Sequence, residues 1–295
     1  MQFNNIIETI GNTPTVKLPK YSSDKIQLFA KLEGTNPGGS VKDRIAYFMI
    51  KDAEKRGILD KNKTIIEATS GNTGIGLAMI SAVKGYEFTA VMPESVSEER
   101  KKLLKAYGAK VILTDGKKGT NYAIEVARNI VDENKDKYVM LDQFNNSMNV
   151  QAHYETTGQE IIAQVPKVTH FVAGVGTGGT IMGVGKRLKE FNPKIQIIGI
   201  EPRPKSKIQG LRNMSAYTPS IYDESKLDDK LMIEDGVVFK LAQQLFRKEG
   251  ISVGISSGAA LWGAIEIGKK IEKGVIVTVF PDRGDKYIST DLFEF

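Results

Sequence analysis

Short apolar runs and amphipathic stretches alternate along the whole chain. Ile26–Leu32, Thr64–Ala68, Phe88–Met92, Lys110–Leu113, Tyr138–Leu141, His170–Ala173, Gln196–Ile200 and Val275–Phe280 carry the runs and predict strands. Between them apolar positions recur every three or four residues. That spacing predicts helices from Ile45 through Ile50, over Gly74–Val83, from Ser97 to Tyr107, and over Tyr122–Val131, Val150–Ala163, Ile181–Phe191, Val237–Arg247 and Ala259–Ile271. Strands separated by helices pair in parallel and need helices on both faces, so the predicted class is α/β. The polar turn Phe144-Asn145-Asn146 is the candidate boundary between two domains. Residues Arg203–Lys230 carry Pro204, Gly210 and Pro219 without a period, and irregular stretches of that length are often functional.

Composition narrows the classes. A chain of 295 residues suits one large domain or two small ones. The net charge of +6 comes from scattered lysines with no basic stripe carrying interleaved aromatics, which predicts no nucleic-acid partner. The absence of cysteine excludes disulfides, thiolate metal sites and a cysteine nucleophile. No apolar run is long enough to span a bilayer, and Met1-Gln2-Phe3-Asn4-Asn5 lacks a signal-peptide pattern, so the expected location is the cytoplasm. His153 and His170 have no metal-ligand spacing, no metal is expected, and His170 reads as core. Glu98-Glu99-Arg100-Lys101-Lys102 reads as a solvated charge run, Trp262 as packing, and Asp282 and Asp285 as part of a capped loop.

Four loops carry the candidate chemistry. In Asn36-Pro37-Gly38-Gly39-Ser40-Val41-Lys42-Asp43-Arg44, Ser40 reads as an N-cap and Lys42 falls in the first turn of a helix. The macrodipole disfavours a cation there, which favours the neutral amine that attacks a carbonyl. Thr69-Ser70-Gly71-Asn72-Thr73-Gly74 follows a strand and opens a helix, and its hydroxyls and open N–H groups suit a carboxylate. Gly174-Val175-Gly176-Thr177-Gly178-Gly179-Thr180 repeats that logic as an anion cradle, with threonines suited to a phosphate monoester. Gly174, Gly176 and Gly179 also fit G-x-G-x-x-G, with Glu201 ending the next strand, so an NAD-dependent dehydrogenase is an alternative at this point. Ser256 opens Ser-Ser-Gly before a helix, and on local grounds reads as an N-cap.

Taken in order, from Ile10-Gly11-Asn12-Thr13-Pro14 to Asp282-Arg283-Gly284-Asp285-Lys286-Tyr287, these motifs resemble the fold-type II pyridoxal-phosphate enzymes. The likeness is closest to the cysteine synthases (O-acetylserine sulfhydrylases) of the B type and their cystathionine β-synthase relatives. The resemblance implies two domains, each with a mostly parallel twisted sheet flanked by helices, as in tryptophan synthase β. It implies a larger cofactor-binding domain of residues 1–40 plus 146–295 and a smaller mobile domain of residues 41–145. Pyridoxal 5'-phosphate is the implied cofactor, held through Lys42. Gly176, Thr177, Gly178, Gly179 and Thr180 would take the phosphate, Asn72 the ring hydroxyl and Ser256 the pyridine nitrogen. Thr69, Ser70, Gly71, Thr73 and Gln143 would bind the amino acid's carboxylate.

The implied reaction is a β-replacement that forms L-cysteine from O-acetyl-L-serine and sulfide through an aminoacrylate, with Lys42 as proton carrier. A near variant uses serine or cysteine as donor and a thiol or water as acceptor. A homodimer is also implied. Arg212, in the irregular region, reads either as a contact to the substrate's distal group or as a surface residue. A non-catalytic protein of the same fold would lack Lys42, which is present.

Overall fold

The computed structural model describes residues 2–69, 71–204, 206 and 208–294. In chain order the first elements are β1 (Thr15–Lys17), β2 (Ile26–Leu32), α1 (Lys42–Lys55), β3 (Thr64–Ala68), α2 (Asn72–Lys84), β4 (Glu87–Pro93) and α3 (Glu98–Ala106). Next come β5 (Lys110–Thr114), α4 (Gly119–Glu133), β6 (Tyr138–Met140), α5 (Ser147–Ala152), a π-helical turn (His153–Thr157) and α6 (Gly158–Gln164). The chain continues with β7 (His170–Gly174), α7 (Gly179–Phe191), β8 (Gln196–Pro202), β9 (Asp229–Ile233), α8 (Asp235–Gln244), a second π turn (Leu245–Glu249), α9 (Ile255–Lys270) and β10 (Gly274–Phe280).

The chain forms two compact units. One comprises Met1–Ile10 and Asn36–Asn149, and the other Gly11–Thr35 and Val150–Phe295. The smaller unit has a four-stranded parallel sheet in the order β5-β4-β3-β6. Its central strand β3 is buried at every position, which is why it reads as an apolar run apart from Thr64 and Glu67.

The larger unit has a six-stranded sheet in the order β1-β2-β10-β7-β8-β9, parallel except for the β1–β2 pair. Alternate residues of its strands feed two separate cores. Val172, Ile198, Ile200 and Ile276 pack with Ala259, Ala260, Leu261 and Ala264 of α9. Phe171, Ala173, Ile197 and Val277 pack with Ile181, Val184 and Leu188 of α7. Both faces are covered, as the predicted α/β class requires.

Two local expectations change. The helix expected over Val150–Ala163 is α5 and α6 joined by the π turn. The region Arg203–Lys230 runs into an edge strand, β9, which pairs with β8 from Ile198↔Asp229 to Pro202↔Ile233. Its polar first residues, Asp229 and Lys230, hid it from the apolar pattern. Ser40 caps α1 as expected: Val41 is already helical at φ -54 and ψ -23, the Ser40 Oγ accepts from the Lys42 N–H at 3.2 Å, and its carbonyl oxygen accepts from Asp43 N at 3.3 Å.

Candidate active site

The smaller unit places one set of candidates together. Pro37-Gly38-Gly39 breaks the chain away from β2, with Gly39 at φ +78. Asp43 is fully buried and its Oδ2 accepts from Gly38 N at 2.6 Å, so this carboxylate clamps the turn that delivers Lys42 to the first position of α1. A Cβ on Gly76 would lie 3.1 Å from Asp43 Oδ1, so the first turn of α1 abuts the second turn of α2 there. Half-buried Lys42 and Asn72 each head one of these two helices.

The loop before α2 is held by its own threonine. Thr69 Oγ1 accepts from Gly71 N and Gly74 N, both at 3.1 Å. Gly71 occupies φ +143 at the cap position of α2 and has no side chain to cap it, so Thr69 serves Gly74 N instead, and the helix N-terminus behind the loop favours an anion. Thr73 Oγ1 donates to Gln143 Oε1 at 2.6 Å, so the structure joins two candidates that lie far apart in sequence. Ser70 lies outside the described residues.

Two neighbours of this loop escaped the sequence reading. Arg100 is buried, contrary to the solvated charge run expected around it, and its aliphatic carbons occupy the space a Cβ on Gly71 would need. Its i, i+4 relation to buried Leu104 was the available signal. The second is Glu67, a charge within a buried strand. Burial pushes its carboxyl up to about 8; hydrogen bonds from the backbone of Gln143, Asp142 and Leu141 oppose this, and the charge of Asp142 adds to it.

An unfolded chain loses this proton near 4.5, whereas the folded protein keeps it to about 8. Its stabilising contribution is complete below the unfolded value and is lost as pH rises through the folded one, by up to about 1.4 kcal/mol per pH unit. Urea unfolding between about pH 5 and pH 8 is expected to show a falling stability that Glu67→Gln flattens. An unchanged slope in the variant would assign the titration to another group.

The larger unit holds the other set. Gly174 ends β7 and α7 begins at Gly179, with Gly178 at φ +90 in the cap position and no side-chain cap. Val175 N donates to Ile200 O at 2.8 Å, and Arg212 N donates to Val175 O at 2.9 Å. Thus part of the irregular region lies on the glycine loop. A Cβ on Gly176 would run into the carbonyl oxygen of Gly210, and one on Gly174 would meet Leu211 Cδ2 at 2.6 Å. Thr177 is buried, and its Oγ1 accepts from Gly179 N at 3.4 Å. Thr180 Oγ1 lies 3.2 Å from Nε2 of His153, whose Nδ1 lies 2.9 Å from Thr157 Oγ1. The buried histidine is therefore His153 in the π turn, while His170 is half-buried on β7.

Ser256 is also buried, but it is not the N-cap. Helix α9 starts at Ile255 with Gly254 capping, because Asp282 O draws in Gly254 N at 3.0 Å. A Cβ on Gly210 would lie 3.7 Å from Ser256 Oγ, so Gly210 stands against both the glycine loop and Ser256. Arg212 is half-buried with its guanidinium carbon 5.1 Å from the Tyr217 ring centroid, and burial lowers its pKa. Glu201, which a dinucleotide reading assigns to a ribose, instead accepts from Met214 N at 2.9 Å and pairs with Lys230 at 3.3 Å.

These features define an α/β protein with an uncapped helix over a glycine- and threonine-rich anion cradle, and a lysine heading a helix. Residues 6–282 match the pyridoxal-phosphate dependent enzyme family. The chain belongs to that family, and this removes the dehydrogenase alternative. It is 51% identical to a cysteine synthase of Aquifex aeolicus, over 98% of this chain and 91% of that relative. It is 44% identical to cysteine synthase B of Salmonella typhimurium, over 98% and 96% of the two chains. Among solved structures it resembles a hydrogen sulfide-producing enzyme from Fusobacterium nucleatum, with TM-score 0.93 and 45% identity over 97% of this chain and all of that one.

The residues present suit the cofactor. The N-terminus of α7, a loop position where only glycine fits, and the buried hydroxyls of Thr177 and Ser256 suit a phosphate and a ring.

Proposed function

We propose that this protein forms L-cysteine from O-acetyl-L-serine and sulfide by β-replacement. The observation that carries the reading is one compact unit that holds both Lys42 at a helix start and a threonine-clamped loop joined to Gln143. Near-full-length identity to cysteine synthases supports it.

When bound, pyridoxal 5'-phosphate supplies the electron sink for charge developing at the substrate's α-carbon. Gly176, Thr177, Gly178, Gly179 and Thr180 hold its phosphate. Asn72 meets the ring hydroxyl and Ser256 the ring nitrogen, where a neutral hydroxyl does not hold a proton as a carboxylate would. Such a weaker sink suits loss of a β-substituent over transamination. Thr69, Ser70, Gly71, Thr73 and Gln143 orient the substrate carboxylate. Lys42 Nζ takes the α-proton as acetate leaves the β-carbon, and returns it after sulfide has taken acetate's place. On the same reading, residues 41–145 close over the substrate to exclude water, and the working form is a cytoplasmic homodimer.

A second reading keeps the residues and changes the donor to serine or cysteine, with water or a thiol as acceptor. Similarity to the hydrogen sulfide-producing enzyme favours it. Visible absorbance of the cofactor-loaded protein separates the two. O-acetylserine is expected to shift the band and sulfide to restore it. A band that responds only to serine or cysteine supports the second reading, and a protein that takes up no cofactor overturns both.

A further inference from the structure

Glu67 has no part in the chemistry described above, yet it organises the segment that bears Gln143. The β3–β6 ladder stops at Ile66↔Met140. One residue further on β3, the Glu67 side chain takes over from the missing ladder. Its Oε2 accepts from Asp142 N at 2.8 Å and its Oε1 accepts from Gln143 N at 3.1 Å. Asp142 sits at φ +51, a conformation few non-glycine residues adopt and one that must be held by its surroundings. Beyond this point every polar group of Gln143 is engaged. Its O accepts from Asn149 Nδ2 at 2.7 Å, its Nε2 donates to Ala68 O at 3.1 Å, and its Oε1 accepts from Thr73.

We propose that Glu67 is a positioning residue for amino-acid binding: its two carboxyl oxygens fix the Asp142–Gln143 turn so that Gln143 meets Thr73 beside the 69–74 loop. This inference rests on the reading of that loop and Gln143 as the carboxylate site. Two adjacent N–H groups converge on the Glu67 side chain, and a carboxyl group offers an oxygen to each. A glutamine would turn an NH2 group against one of them. A fully buried carboxylate is a poor choice for stability alone, since burial opposes its charge. Its presence therefore marks a position where geometry at the site outweighs stability.

The test compares Glu67→Gln and Gln143→Ala with the parent, all loaded with pyridoxal phosphate. O-acetyl-L-serine affinity is read from the shift in cofactor absorbance, and cofactor affinity and melting temperature are measured alongside. Glu67→Gln is expected to weaken O-acetylserine binding about tenfold or more, leave cofactor affinity within about twofold, and melt no lower than the parent near pH 9. A residue that only supports the fold would instead lower the melting temperature and leave donor affinity alone, and that result overturns the proposal. If Gln143→Ala weakens the donor and Glu67→Gln does not, the role of Glu67 alone fails. If Gln143→Ala has no effect on the donor, the carboxylate-site reading fails with it. Should the glutamine variant not fold, Glu67→Asp serves, because it keeps the carboxyl group but retracts it from both N–H groups; full donor affinity there also overturns the proposal.

Discussion

Lys42→Ala is expected to lower turnover by at least about 10³-fold while leaving the fold intact. The side chain heads α1 and is half-buried, so its removal leaves no core cavity. The contact that shapes the turn, from the residue-42 N–H to Ser40 Oγ at 3.2 Å, belongs to the backbone and survives. The Asp43 clamp on Gly38 N also survives. What disappears is the amine at this position. The variant is expected to melt with the parent, lack the yellow lysine-linked band, and form no cysteine from O-acetylserine and sulfide. Turnover within tenfold of the parent, measured on protein of matched cofactor content, would remove Lys42 from the mechanism.

Gly176→Ala is the second large effect. The added Cβ points at the carbonyl oxygen of Gly210, a backbone atom and not the far end of a flexible side chain. That carbonyl has little room to retreat. Gly210 is at φ +92 against Ser256, Leu211 is seated on Gly174, and Arg212 N is bonded to Val175 O. Overpacking of this kind costs about 1–3 kcal/mol. The strain falls on the loop that receives the phosphate, so cofactor affinity is expected to drop roughly tenfold to a hundredfold. Titration of the apoprotein with pyridoxal phosphate, followed by absorbance, measures it. Gly57→Ala is the matching control. Its φ of +68 strains any side chain, but no heavy atom lies within 4 Å of the new Cβ, so it affects stability and not cofactor affinity. Unaltered cofactor affinity in Gly176→Ala would mean that this loop is not the phosphate cradle.

Much of the architecture was legible because the signals are local. Thr64–Ala68 reads as a strand to the residue, since a strand buried on both faces must be apolar nearly throughout. The glycine loop reads as an anion cradle because a strand, consecutive glycines and a helix leave open N–H groups whatever packs around them. The π turn was illegible: it differs from an α-helix in its hydrogen bonding and shares its apolar spacing. Edge strand β9 was illegible because only one neighbour pairs with it and its first residues are polar.

Local pattern decided the strand–loop–helix order, the places where glycine interrupts it, and the residue types offered at each loop. Long-range packing decided how those residues are used. Ser256 is a buried hydroxyl and not a cap because Asp282 captures Gly254 from another part of the chain. Arg100 is buried because Gly71 leaves it room, and Thr73 finds Gln143 because β3 and β6 are paired. Glu67 was visible as a charge in an apolar strand, but its task depends on where the β6 ladder ends. Burial and hydrogen-bond partners depend on residues distant in sequence, so only the folded chain assigns them.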